Sequence, residues 1–588
     1  MGVAKKQFAG METNIPGLYS KSNYPPQGRG KGAASQNVVV LGPATCGVPY
    51  NASDLPDDYK LMQFTSPSEA LEMLRGGPAY YMAEFYLTPT KDPRLNIPNF
   101  VDVCRVNPAV HATAVLNMAG PLAVIDLTSA RYGLLANQLA RKVVAGTTSG
   151  YHATIRFEGK TIADSDNISL SYLSIIYTGA GSAAAMTINA TTLSTTCTGA
   201  TPDNLTIAFA TVPTLDQLVA YINMQPNWTA VLLGKGDALS STLDAVTAVD
   251  VKTAPGYVAK ADVEALIQFF NNASGGEITA VLHAAAARSP ILADAGFIFF
   301  SSGADGTVDN TAWAGALTFL EKMSVNHVLC ASGDPAVQAM VDAHNIKMSQ
   351  ILYKKNRSMG TGALTAKTNA QQITEMKALG SARAEYCCTP FKRYDVVNGG
   401  AVTEFDPFYG AALVAGIRFA NGITACAEMQ YVNVLSVTRK YTITEKTALI
   451  DAGATLFEVG EEGIEVVTNM TTYQSANLIL NIPSALRTCD HITLDSHVKI
   501  KARLRNLVEA PDEMQINELY NYLITNLLPY YVEQKLLTKD PISGDPAFSE
   551  VKFDIKGDAF EFGFTGIVPL PLRFGFITQN FIVVGQNR

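Results

Sequence analysis

Charge is what this chain of 588 residues has least of. Asp, Glu, Lys and Arg make up only 16% of it, against roughly 25% in an average soluble domain. A surface with so few charges suits a protein covered by its neighbours. The balance is slightly acidic, with a net charge of -8 and pI near 5.5. No block of Lys or Arg offsets this, Lys5-Lys6 and the Arg29/Lys31 pair being too short, so a basic nucleic-acid groove is not expected. No run of about 18 apolar residues occurs, which excludes a membrane-spanning helix. Met1 to Gly10 carries Lys5 and Lys6 without an apolar stretch, so no signal peptide is expected. The eight cysteines are scattered and form no Cys-x-x-Cys pair, which predicts reduced and mostly buried thiols.

Catalytic signatures are missing too. Gly28-Arg-Gly-Lys-Gly32 and Gly234-Lys-Gly236 lack the spacing of a phosphate loop. There is no Gly-x-Ser-x-Gly elbow and no His-Glu-x-x-His. Seven histidines leave little general-base chemistry. Cys489, Asp490, His491, Asp495 and His497 are the densest set of possible metal ligands. Their stretch looks strand-like, and there His491 and His497 would project to one side but lie about 20 Å apart. No metal, cofactor or catalytic residue is expected. Glu458-Val-Gly-Glu-Glu-Gly463 reads as a solvated turn.

What is present is organisation. At 62.8 kDa the chain needs several domains. Residues 1–36 hold Pro16, Pro25, Pro26 and six glycines, the chemistry of an extended arm. Ile15, Pro16, Leu18 and Tyr19 are its sticky spot. Residues 37–125 read as a first α/β segment: a buried strand Val38–Leu41, a helix from Ser66, and a strand Val101–Val106. Ser66, Pro67 and Glu69 predict an N-cap, a first-turn proline and a capping box. Residues 126–295 turn into short alternating strands rich in Thr, Ser, Ala and Gly. One helix, Thr214–Ile222, interrupts this inserted β-rich block. The α/β pattern resumes at Phe297–Phe300, and 296–475 form its second segment. Helices are expected at Trp313–Met323, Asp334–Ala343 and Pro407–Ile417. Residues 476–570 form an α+β domain with a helix Asp512–Val532 and strands Val551–Ile555 and Ala559–Phe562. No internal repeat is evident.

The end of the chain, 571–588, reads as a strand with no partner of its own. Leu572, Phe574, Phe576, Ile582 and Val584, with Ile577, Phe581 and Val583, put apolar side chains on both alternating rows. Such a strand needs a sheet around it, so another subunit is expected to supply one. Pro569 and Pro571 form a hinge before it.

The order of segments carries a resemblance. Asn37-Val-Val-Val-Leu-Gly-Pro-Ala-Thr-Cys-Gly-Val-Pro49 resembles the opening of bacteriophage contractile tail sheath proteins, the myophage-type sheath family. Leu127–Asn137 is similar to that family's passage into its inserted domain, with Ala136 in place of a glycine. Gly303–Leu317 resembles its Gly-rich turn and helix. Ala448–Ala454 and Gly463–Val467 resemble a late core segment, and Asp512 onward its last domain. The implied fold is multi-domain α/β and α+β: a sheath core, an inserted β-rich outer domain, and extended N- and C-terminal arms. The implied function is structural. Subunits would stack as hexameric rings around a tail tube and contract to drive it through a host envelope, without a cofactor. The implied partners are other copies, the tube protein, and baseplate and tail terminator proteins, with no direct nucleic acid or membrane insertion. The implied place is the virion tail, assembled in the host cytoplasm. A related contractile injection system, such as a tail-like bacteriocin or secretion apparatus, is the nearest alternative. An α/β enzyme or a surface adhesin would be a different class.

Overall fold

The computed structural model describes residues 37–571 except 121, 285–287, 351, 352, 354, 476, 505–512, 557 and 558, and also the backbone of Lys6–Phe8 and Met11–Thr13. Its centre is an eight-stranded sheet. In chain order the strands are β1 (Val38–Gly42), β2 (Met62–Phe64), β3 (Val101–Arg105), β4 (His327–Cys330), β5 (Ser358–Gly362), β6 (Ala384–Cys387), β7 (Ala454–Val459) and β8 (Ile464–Thr468). Their spatial order is β8-β7-β6-β5-β4-β1-β3-β2. The strands from β7 to β3 run parallel. The outermost strands, β2 and β8, are antiparallel.

Parallel strands are apolar throughout when helices cover both faces, and Val38-Val39-Val40-Leu41 shows how. Val38 and Val40 pack against α1 (Pro67–Leu74), α2 (Pro78–Leu87) and α6 (Gly410–Ala420). Val39 and Leu41 point the other way, to α3 (Asn310–Glu321) and α4 (Pro335–Met348). Helices α5 (Asn369–Leu379) and α7 (Ile443–Asp451) continue the second layer over β6 and β7.

The caps follow the local chemistry. Ser66 accepts from the Glu69 amide at 3.2 Å, and Asp334 accepts from the Ala336 amide at 2.9 Å. The expected capping box closes one residue early, because Glu69 Oε2 accepts from the amide of Thr65. Sequence patterning missed α2, which is buried at eight of its ten positions and so shows little helical periodicity. It packs against α6, whose small residues let the backbones approach. A Cβ on Gly416 would lie 2.6 Å from the carbonyl oxygen of Tyr86.

The β-rich block contains two units with separate apolar cores. One joins the three-stranded sheet of Ile278–Leu282, Ala123–Tyr132 and His111–Asn117 to a four-stranded sheet. The latter orders Lys160–Ile168, Tyr151–Phe157, Leu139–Ala145 and Ile298–Phe299. The other unit, nested within it, has a sheet of Trp228–Leu232, Ser171–Tyr177 and Tyr257–Lys260. Its second sheet orders Thr206–Ala208, Thr192–Thr198, Ala183–Ile188 and Val246–Asp250. Every pairing in both units is antiparallel. Each unit carries a helix, Asp262–Ala273 or Leu215–Asn223, just before the first strand of its three-stranded sheet. The two units thus share one strand plan, a repeat that sequence inspection did not find. They differ in the third strand of the three-stranded sheet, which precedes the other two in the chain in one unit (His111–Asn117) and follows them in the other (Tyr257–Lys260).

Two expectations are corrected here. Phe297–Phe300 does not rejoin the α/β sheet, because Ile298–Phe299 pairs with Ala140 and Arg141 of the inserted block. The block also holds a second helix, Asp262–Ala273. Strand His111–Asn117 pairs with Ala123–Tyr132.

A third correction concerns His491 and His497. They lie on a helix, α8 (Pro483–Leu504), not on a strand. Six residues on a helix place side chains about 120° apart around the axis, so the two do not share a side. Past α8, helix Glu513–Tyr522, a π-helical turn at Leu523–Leu527 and helix Leu528–Glu533 lead into the hairpin Phe548–Lys556 and Ala559–Gly566.

Candidate assembly surfaces

The last domain has its own core, in which Leu523, Leu527, Leu528 and Tyr531 pack with Ile492 of α8. Val551, Phe553, Phe562 and Phe564 bring the hairpin onto it. The Tyr520 and Phe553 rings are 5.5 Å apart and line the groove between helix and hairpin. The hairpin is a two-stranded sheet among the described residues, and such a ribbon presents edges that another strand can join. Beyond it the backbone is tied twice, by Ile567 N to Ala547 O at 3.0 Å and Thr538 N to Ile567 O at 2.9 Å. Then come Pro569 and Pro571, both half-buried, flanking the exposed Leu570.

The expected contact residues of the C-terminal strand, Leu572, Phe574, Phe576, Ile577, Phe581, Ile582, Val583 and Val584, lie outside the described residues. So do Ile15, Pro16, Leu18 and Tyr19 of the N-terminal segment. The described backbone of that segment pairs Lys6–Phe8 with Met11–Thr13 as an antiparallel ribbon.

A polar joint fastens α8 to the central sheet, and sequence reasoning did not foresee it. Arg418 of α6 donates to Glu385 of β6, and their side chains are 1% and 6% exposed. Asn469 Nδ2 donates to the same carboxylate at 2.8 Å. Burial would raise the Glu385 carboxyl, but Arg418 and the hydrogen bonds from Arg418 and Asn469 outweigh it and hold it below the usual range. Arg487 of α8 donates to the carbonyl oxygen of Arg418 at 3.0 Å and stacks 3.8 Å from the Phe419 ring centre. Burial, with Arg418 alongside, pulls the Arg487 guanidinium down to about 9. One turn on, Asp490 receives Arg383 and, at 2.9 Å, Asn356 Nδ2. Arg487 of α8 reaches the Arg418 carbonyl and the Phe419 ring, and Asp490 of α8 receives Arg383 from just ahead of β6, contacts that hold α8 close to the sheet.

Two buried histidines belong to the same region. His327 of β4 sits with Nδ1 2.8 Å from Ser358 Oγ, and burial pulls its pKa to about 3. His344 of α4 has Nε2 2.6 Å from Arg357 Nη1, and burial and that guanidinium pull it to about 4. Both are neutral in the fold. A base with a depressed folded pKa supplies stability above its unfolded value, near 6.5, that is lost as pH falls toward the folded value. The unfolding free energy from denaturant titrations is therefore expected to fall between pH 7 and pH 5, by about 1.4 kcal/mol per pH unit for each histidine below 6.5. His344→Gln is expected to flatten that slope. An unchanged slope in the variant would remove His344 from the account.

Among the described residues no group of three or more His, Cys, Asp or Glu side chains is placed to hold a metal. Cys387 and Cys388 are buried, and burial pushes both thiols up.

No protein-family model and no curated protein matches this chain. Solved structures do. The sheath tail protein of Desulfitobacterium hafniense superposes with a TM-score of 0.50 at 12% identity, over 94% of this chain and 100% of that one. The chain has the fold of a sheath tail protein. The sheath tail protein of Listeria innocua, at 11% identity and TM-score 0.48, is covered over 95% of its length and 91% of this chain. The contracted helical sheath of the anti-feeding prophage aligns over 48% of this chain and 77% of its own, at 15% identity and TM-score 0.37. In the sheath tail fold of this chain, the hairpin, the groove beside it and Pro569 and Pro571 stand at one end of the sequence. The two-unit block interrupts the central sheet between β3 and β4.

Proposed function

We propose that this chain is the structural subunit of a bacteriophage contractile tail sheath. It polymerises as stacked hexameric rings around a tail tube, and contraction drives the tube through the host envelope. The observation that carries the reading is the fold likeness to a sheath tail protein over the whole of that protein's length. The low charge of the chain supports a surface spent on contacts with other copies. On this reading the subunit is not an enzyme and needs no cofactor. Its partners are other copies, the tube protein, and baseplate and tail terminator proteins, in a virion tail assembled in the host cytoplasm.

The two arms are the linking parts. The strand after Pro571, through Phe574, Phe576, Phe581 and their aliphatic neighbours, adds to a sheet of a neighbouring subunit. The N-terminal segment, through Ile15, Pro16, Leu18 and Tyr19, adds a second link. The hairpin Phe548–Gly566 is the natural acceptor, since its ribbon lacks a third strand among the described residues. Pro569 and Pro571 let a docked strand keep its place while the body turns. The segments divide as 1–36 arm, 37–125 and 296–475 core, 126–295 outward-facing insert, 476–570 inner domain and 571–588 arm strand. Finding residues 140–270 against the tube would overturn that placement.

Electron microscopy of the purified chain tests the proposal. Cylinders or short rings are expected. Discrete particles of single-subunit mass at every concentration would sink it.

A further inference from the structure

The two units of the inserted block share more than a strand plan. The end strand of one is Trp228-Thr-Ala-Val-Leu232, and of the other Ile278-Thr-Ala-Val-Leu282. Each lies at the edge of its three-stranded sheet. Neither contains a charge, a proline or a bulge, the usual devices that discourage strand addition. Val231 and Val281 are 54% and 52% exposed. By composition these are open, sticky edges.

Both edges are occupied in the same way from within. Asn223 is the last residue of helix Leu215–Asn223. Its Oδ1 accepts from the amide of Ala230 at 2.7 Å, and its Nδ2 donates to the Ala230 carbonyl at 2.9 Å. Asn271, in the last turn of helix Asp262–Ala273, does the same to Ala280, at 2.8 and 3.0 Å. In an antiparallel sheet the N–H and C=O of one residue point the same way. Those of Ala230 and Ala280 point outward, because the side-chain amide already holds them. A carboxamide offers one acceptor and one donor, the pair that an added strand would offer at that position.

We infer that Asn223 and Asn271 act as stand-in strand residues that close these two edges against a second copy of the chain. The occupant they exclude follows from the sequence. Pairing Ala230 of one copy opposite Ala280 of another puts Thr229 across from Val281 and Val231 across from Thr279. The outward side chains then share one face without a charge between them. In a chain whose proposed assembly works by strand addition, such edges would compete with the intended acceptor. The inference itself does not depend on that proposal, since it rests on the block alone.

The test uses the full chain carrying Thr229→Cys and Val281→Cys, with and without Asn223→Ala and Asn271→Ala. Disulfides between copies are read on non-reducing gels and located by peptide mass mapping. With the asparagines present, the 229–281 link between copies is expected to be at background. Without them it is expected to rise at least tenfold. Equal linking in both chains would overturn the inference, as would background linking in an asparagine-free chain with an unchanged melting curve. A measurement without substitutions guards against a misfolded variant. In the parent chain the Ala230 and Ala280 amides are expected to exchange hydrogen at least tenfold more slowly than the unprotected rate. Unprotected exchange at both would overturn it equally.

Discussion

Deleting residues 573–588 is expected to leave a folded chain that forms no cylinders. Among the described residues the last backbone ties are at Ile567, and the described core of the final domain runs from Ile423 to Val568. The change in unfolding free energy is expected to stay within about 1 kcal/mol, as for changes away from packed features. Assembly is different. One arm that adds a strand binds weakly once the cost of ordering it is met, but links repeated through an array multiply apparent affinity by about 10²–10⁴. Losing all of them at once therefore abolishes cylinders instead of weakening them. Sedimentation and electron microscopy of the truncated chain check this. Normal cylinders would show that the arm is not the link.

The second large effect is expected at the polar joint. Arg418→Ala leaves Glu385 buried with Asn469 but without its cation. Breaking a buried pair from one side costs about 3–5 kcal/mol, because the remaining charge stays desolvated. Replacing both partners, as Arg418→Met with Glu385→Leu, is expected to recover most of that loss, since apolar groups of similar volume need no counter-charge. Denaturant unfolding of the two variants decides the matter. A double variant as unstable as the single one would mean that the pair contributes through its shape, not its charge.

Legibility of this chain from sequence follows burial geometry. The strand at Val38 was readable because a parallel strand between two helical layers is apolar on both faces. Helix α2 was not, because a helix buried nearly all round loses the contrast between its sides. Helix α8 was misread for the opposite reason. Ile492, Leu494, Val498 and Ile500 alternate with polar residues and imitate a strand, and β-branched residues strengthen the impression. The signal that could have corrected it was Pro483-Ser484 followed by a stretch of helix length without glycine or proline. The doubled unit escaped notice because its shared text shrinks to Thr-Ala-Val-Leu and to Thr-Ile-Ala, at 161–163 and 206–208. Strand order, which sequence inspection does not reveal, is where the likeness lies. The polar joint was equally hidden, since Glu385, Arg418, Asn469 and Arg487 meet only after the sheet and α8 have formed. The arm residues were chosen from pattern alone, and the truncation is what tests them.

The base of the inserted block has a consequence for how this chain can vary. The outgoing and returning passages are fastened side by side, by Val110 N to Ala304 O at 2.9 Å and by Arg105 to Asp305 at 2.7 Å. Below that clasp β3 already sits in the central sheet next to β1, and β4 joins β1 on its other side. Whatever lies beyond it begins and ends within one strand spacing. The strand order beneath the clasp is thus independent of what the block contains, and exchanging the block for another domain with adjoining termini is expected to leave that order unchanged.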